Sequence, residues 1–302
     1  MGHETGPSMI TLDEFLALPE RDVARLVRQA GPQTCVFPIN GTRRWFALEH
    51  GDRRSEYVSI AAHEYIRLFR MLFDHGIDTI LSPAFGSELI RRGEEYVSEA
   101  LGGMSILESD DFRQFYKESG VRVHFYGSFT PALRGTSHGD KLNILDRITD
   151  MTRYNQQHRL FFGLFANDAT QTIAEESIEL YKQTGKNPER RDLVEAYYGE
   201  YVEPVSLFIG FDKPSVFDYP LLAMGEENLY FTVAPSPYMQ ADTLRLILFD
   251  HIFTRRVADP DWFAMESSEK NRFRAFYRNN QNTVIGEGIL DRNVWVPAIK
   301  LK

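Results

Sequence analysis

The chain has 302 residues, of which 43% are apolar and 25% charged, and it carries a net charge of −9. That composition is globular and long enough to bury a sizeable core, which excludes a disordered, collagen-like or coiled-coil chain. The acidic balance argues against nucleic acid as the main partner, no run approaches ~20 apolar residues, and a single cysteine, Cys35, excludes a disulfide framework or a multi-cysteine zinc site.

Thr11-Leu12-Asp13-Glu14 has the spacing of a capping box and opens a helix predicted to end near Gly31. Thr34 to Ile39 reads as a short buried strand. A helix over 57–75 is closed by Gly76, and 78–82 is a second strand. Helices from Glu88 and over 109–117 follow. Further strands are predicted at 121–126, 158–165, 206–210 and 229–233. Further helices are predicted at 168–181, 190–201, 240–256 and 260–279, with a turn at Gly185-Lys186-Asn187-Pro188. Strands alternating with helices imply an α/β domain with parallel pairing and right-handed crossovers, and ligands at the carboxyl ends of the strands. No repeat or linker divides the chain. The expected organisation is a flexible extension over 1–10 and a single domain over 11–302. The first residues lack the apolar centre of a signal peptide, so a cytoplasmic location is the expectation.

The most informative segment is Phe37-Pro38-Ile39-Asn40-Gly41-Thr42-Arg43-Arg44-Trp45. A strand ends in a glycine loop followed by two arginines. Backbone N–H groups of such a loop cradle phosphate, and Arg43 and Arg44 add charge-assisted contacts to its oxygens. Taken alone, a surface turn with solvated arginines accounts for it more simply.

The wider sequence changes that balance. The segment resembles the diphosphate-binding signature of cis-prenyltransferases. FPINGTRRWFALE (37–49), MLFDHGIDTILSP (71–83), EAYYGEYV (195–202), SLFIGF (206–211), LYFTVAPSPYM (229–239) and LILFDHIF (246–253) make most of the chain resemble one branch of that superfamily. This is the branch of tuberculosinol synthases, tuberculosinyl-adenosine transferases and kolavelool synthases. The resemblance implies an undecaprenyl diphosphate synthase-like fold, one α/β domain with a six-stranded, mainly parallel sheet flanked by helices, and a homodimer. It also implies that Arg43, Arg44 and Arg92, with the Gly41-Thr42 backbone, grip a diphosphate. Tyr57 and Tyr96 match the branch's site tyrosines and would shelter a carbocation. Without the resemblance both read as helix-surface or core tyrosines.

The departures from chain-elongating members are as useful. Their Phe-Ser-x-Glu-Asn-Trp-x-Arg block aligns with Phe85 to Arg92, with Leu89 for Asn and Ile90 for Trp. Their Arg-Thr-Ser-Gly-Glu-x-Arg-x-Ser block, which holds isopentenyl diphosphate, falls on Gly210 to Asp218 and has lost both arginines and both serines. Without those cations the second diphosphate has nothing to offset its desolvation. The expectation is an enzyme that ionises a bicyclic diterpenyl diphosphate, of kolavenyl or halimadienyl type, without extending it. Water then captures the allylic cation to give a diterpene alcohol. The alternatives are terpenyl transfer to a nucleoside such as adenosine, or a non-catalytic partner of a prenyltransferase.

Position 40 is aspartate in the superfamily and Asn40 here. An amide carries no charge and cannot act as a base. Three readings stay open: a variant inactivated by a shape-preserving Asp-to-Asn change, a natural enzyme relying on bulk water and the arginines, or a natural non-catalytic protein. No protein metal ligands are assigned. Mg²⁺ is expected only through the diphosphate, because the superfamily's metal-binding glutamate near the last strand is matched by Asn228.

Overall fold

The computed structural model describes residues 10–31, 33–86, 103–133, 139–164, 169–216 and 218–298. The helices are α1 (Leu12–Leu16), α2 (Glu20–Gln29), α3 (Thr42–His50), α4 (Tyr57–Asp74), α5 (Asp110–Glu118), α6 (Phe129–Leu133), α7 (Asp140–Thr152), α8 (Ala169–Thr184), α9 (Arg190–Tyr198), α10 (Ala241–Ile252) and α11 (Ser267–Asn280). The strands are β1 (Thr34–Val36), β2 (Thr79–Phe85), β3 (Val121–Tyr126), β4 (His158–Leu164), β5 (Leu207–Phe211) and β6 (Asn228–Thr232), followed by a hairpin, β7 (Gly288–Asp291) and β8 (Val294–Pro297).

Strands β1 to β6 form one sheet in the order β3-β4-β2-β1-β5-β6, and every neighbouring pair is parallel. Parallel strands are covered on both faces, which is why β1 and β5 are buried along their whole length. On one face Cys35, Ile80, Val123, Leu160 and Ile209 meet Phe15, Val27, Phe69, Phe73, Phe115 and Leu248 from the helices. On the other, Val36, Leu81, Tyr126, Phe161 and Phe208 meet Val194, Tyr197 and Tyr198 of α9 and Tyr219 and Leu222 of the chain beyond β5.

The capping box is present: Thr11 N–H donates to Glu14 Oε2 at 2.8 Å, and Glu14 N–H to Thr11 Oγ1 at 3.3 Å. The helix it opens stops at Leu16, and a second begins at Glu20 behind Pro19. A proline has no N–H and disfavours helical geometry in the residue before it, so one predicted helix becomes two. The predicted helix at 260–279 begins only at Ser267, and no residue from Phe253 to Ala298 is buried. No helix among the described residues is long and apolar enough to cross a membrane.

Candidate active site

Strand β1 lies between β2, which follows it, and β5, to which the chain later returns. The crevice above such a reversal is where open α/β sheets bind ligands. The loop from Phe37 to Gly41 rises from β1 into that position and turns into α3. Gly41 makes the turn with φ 76°, a left-handed conformation that glycine adopts without steric cost. A Cβ there would lie 2.8 Å from both Phe211 Cε1 and Pro235 Cβ. Glycine is thus required twice, by dihedral and by space.

Asn40 is pinned through its backbone. Its N–H donates to Ser236 Oγ at 3.0 Å, and its carbonyl accepts from Ser236 N–H at 3.0 Å. Its carboxamide makes no hydrogen bond among the described residues. The peptide is therefore held in place whichever side chain stands at 40. No side chain caps the N-terminus of α3. Its first-turn N–H groups and the positive end of its dipole form the electrostatic half of an anion site.

Arg43 and Arg44 are exposed on the first turn of α3. Arg44 Nη2 lies 3.3 Å from Asp212 Oδ2, and its guanidinium sits 5.4 Å over the Phe211 ring. Asp212, the first residue after β5, holds φ at 70°. Thr42 is buried, and its hydroxyl lies 3.3 Å from Tyr65 Oη. Burial raises the Tyr65 phenol, with the Thr42 bond and the Arg43 charge opposing, so Tyr65 stays protonated at neutral pH.

Tyr57 opens α4 and meets Phe46 of α3 edge to face at 5.1 Å. Asn40, Gly41, Thr42, Arg43, Arg44 and Tyr57 are thus gathered around α3. Arg92 and Tyr96 lie outside the described residues. Trp45 is buried against Phe46 and His50 and serves packing. Tyr65 is the tyrosine that touches the phosphate loop, and the sequence reading passed over it. The available signal was its place eight residues after Tyr57, on the same face of a helix.

Gly210 lies within β5, where a Cβ would stand 2.8 Å from Phe208 Cε1 and from Phe231 Cδ1. A side chain of arginine size has no room there.

Asn228 begins β6, in register with Leu207 at the start of β5, at the amino end of the sheet. Its Oδ1 lies 2.7 Å from His251 Nδ1, whose other ring nitrogen is 2.9 Å from Gln33 Oε1. It is part of a buried amide–imidazole network, remote along the strand from the phosphate loop. Among the described residues no three His, Cys, Asp or Glu side chains cluster as metal ligands, and the Asp212 carboxylate is paired with Arg44. These residues do not form a protein cage for Mg²⁺.

No protein-family model matches the chain. Two characterised proteins do. The chain is 44% identical over 291 residues to the tuberculosinyl adenosine transferase of Mycobacterium tuberculosis (strain CDC 1551 / Oshkosh), covering 95% of this chain and 98% of the relative. It is 24% identical over 303 residues to the (+)-kolavelool synthase of Herpetosiphon aurantiacus, covering 95% of each. In fold it is similar to lavandulyl diphosphate synthase from Lavandula x intermedia in complex with dimethylallyl diphosphate, with a TM-score of 0.59 at 13% identity. That match covers 74% of this chain and 97% of the other. It is also similar to a probable undecaprenyl diphosphate synthase from Campylobacter jejuni, with a TM-score of 0.55 at 12% identity, covering 76% and 96%. With its parallel six-stranded sheet and its arginine-bearing loop after β1, the chain belongs to the tuberculosinyl adenosine transferase and kolavelool synthase branch of the cis-prenyltransferase superfamily.

Proposed function

We propose that the chain ionises a bicyclic diterpenyl diphosphate and transfers the terpenyl group to a nucleoside, adenosine being the acceptor named for its 44% identical relative. That near full-length identity carries the reading and moves it away from water capture, the outcome the sequence alone favoured. The site geometry supports the first half. The N-terminus of α3, Arg43 and Arg44 stabilise the diphosphate as the allylic C–O bond breaks and the electron pair leaves with oxygen. Arg92 adds a third cation, and the faces of Tyr57 and Tyr96 shelter the cation. Position 40 directs the nucleophile, weakly as asparagine. Mg²⁺ would enter with the diphosphate, since no cluster of carboxylates among the described residues holds it. Loss of cations at Gly210 and Val216 explains why a second diphosphate is not taken. The functional unit is a homodimer, supported by the large apolar side chains Phe263, Ile285 and Leu290, which this chain leaves exposed.

A second reading, water capture to an alcohol, is favoured by the likeness to kolavelool synthase and describes turnover without an acceptor. Incubation with Mg²⁺, labelled adenosine and each of kolavenyl, halimadienyl and geranylgeranyl diphosphates separates the readings by mass spectrometry. A labelled terpenyl nucleoside is expected, and Asn40→Asp should raise its rate by roughly 10²-fold or more. Alcohol as the sole product with adenosine present would establish water capture instead. Equal rates for both forms would remove position 40 from the mechanism.

A further inference from the structure

The two backbone hydrogen bonds of Asn40 run to one residue, 196 positions further along the chain. Its N–H donates to Ser236 Oγ, and its carbonyl accepts from Ser236 N–H. The same Oγ donates to the Pro38 carbonyl at 3.5 Å. A hydroxyl both accepts and donates, so this one side chain meets a donor and an acceptor that the end of β1 leaves open in the loop. Ser236 is only 4% exposed, so water does not stand in for the hydroxyl if it is removed.

Ser236 is itself held. It begins a single 3₁₀ turn, Ser236–Tyr238, behind Pro235. Arg67 of α4 donates from Nη2 to the Pro237 carbonyl at 2.9 Å and from Nη1 to the Met239 carbonyl at 3.1 Å. Its Nε donates to Glu64 Oε2 at 2.7 Å, which fixes the guanidinium. The Tyr238 hydroxyl donates to Glu49 Oε1 in the last turn of α3. The segment beyond β6 therefore grips α3 at both ends and is anchored on α4.

Peptide geometry gives these bonds a direction. A trans peptide is planar, with its C=O and N–H pointing opposite ways. With the Asn40 carbonyl turned toward Ser236, the Gly41 N–H of the same peptide points away from it. Among the described residues no hydrogen bond takes that N–H. Holding the peptides on both sides of Asn40 also sets its two backbone dihedrals, and with them the direction of its Cβ. We propose that Ser236 is a positioning residue: its hydroxyl and N–H turn the Gly41 N–H toward the diphosphate and aim the side chain at position 40, and Arg67 holds the turn that carries it. This rests on the reading that the loop binds a diphosphate. Glycine loses more freedom on ordering than any other residue, so an unbraced loop would bind its anion weakly. The brace orders the loop before the ligand arrives.

Titration calorimetry of inorganic diphosphate with Mg²⁺ into the full chain reads the loop without turnover. It is run well below the Tm of each variant, so a loss of stability alone does not move the affinity. Ser236→Ala should weaken binding about tenfold. It should lower kcat/KM for a diterpenyl diphosphate by about 10²-fold, because a displaced loop counts most in the transition state. Ser236→Thr restores the hydroxyl and should recover most of both. Arg67→Met keeps the hydroxyl, loosens the turn and should weaken binding about threefold. It carries the test should Ser236→Ala fail to fold. A lowered Tm with the parent's affinity in either variant would make the segment a structural brace only, overturning the proposal and leaving the diphosphate reading in place. A loss that Ser236→Thr does not relieve would assign the effect to packing and overturn it as well. A parent chain with no affinity for diphosphate would overturn the reading of the loop itself.

Discussion

The two ends of the sheet differ in backbone strain and in how their polar groups are held. At the amino end several satisfy one another, although His158 Nδ1 and Arg122 Nε find no hydrogen-bond partner among the described residues. His251 bridges Asn228 and Gln33, Gln33 Nε2 donates to the carbonyls of Val27 and Gly31, and Arg159 donates to Thr79 Oγ1 and the Tyr201 carbonyl. At the carboxyl end Gly41 is left-handed, and Asp212 and Asp218 are left-handed without being glycine. Satisfied networks fix a fold, whereas strain persists where the surrounding packing holds it for a ligand. The strain gathers near the loop after β1, at the end of the sheet where the site is proposed.

The sharpest way to break the comparison is at Gly41. Alanine there combines an unfavourable φ with contacts at 2.8 Å, so the loop must move. Misplacement on the scale of ~1 Å costs on the order of 10²-fold. Gly41→Ala should lower kcat/KM for the diphosphate by at least that much, and an unchanged value would remove the loop from the site. The amino end should answer differently. Asn228→Ala leaves His251 with one fewer partner and should cost ~1–3 kcal/mol in denaturant unfolding, with kcat/KM unaltered. Lost activity there in a folded variant would show that the two ends are coupled. A milder test concerns Arg44, which is paired with Asp212 at 3.3 Å, a pairing that would compete with an incoming phosphate. Asparagine tolerates the left-handed backbone at 212. Since exposed ion pairs contribute ~0–1 kcal/mol, Asp212→Asn should lower KM for the diphosphate about threefold. A higher KM would mean that Asp212 positions Arg44 rather than competing for it.

Much of this was legible in the sequence. Val121–Tyr126 is a strand as its pattern predicts, and the remaining sheet strands match within a few residues because β-branched and aromatic runs between turn signals are locally specified. Helix α3 was not, since Thr, Trp, Phe and His are modest helix formers and burial of Trp45 and Phe46 supplies what propensity does not. Helix α7 was passed over although Leu142, Leu145 and Ile148 recur every third residue. The β7–β8 hairpin turns on Arg292 and Asn293, both with positive φ, and arginine gives no turn signal. The site divides similarly. Residues 40–44 are contiguous and carry a motif. Tyr65, which meets Thr42, and Asp212, which meets Arg44, come from separate elements that only the fold brings to α3.

Asp218 also gives the comparison its smallest and most specific test, because a half-buried carboxyl with no hydrogen-bond partner among the described residues should cost stability. Its carboxyl binds a proton more tightly in the folded chain, up to about 6, than an ordinary aspartate does, and the cause is burial. Between those two values the folded state carries more protons than the unfolded one, so stability falls as pH rises. The contribution is full below the unfolded value and is lost as pH passes through about 6. At pH 7.5 the ionised carboxylate is therefore a net burden, partly relieved by solvent. Asp218→Asn keeps the shape and the left-handed backbone while removing the charge. Its Tm should exceed the parent's by a few degrees at pH 7.5, and the gap should close near pH 4. A variant less stable than the parent at pH 7.5 would mean that the charge has a stabilising partner, and the carboxyl end would then resemble the amino end.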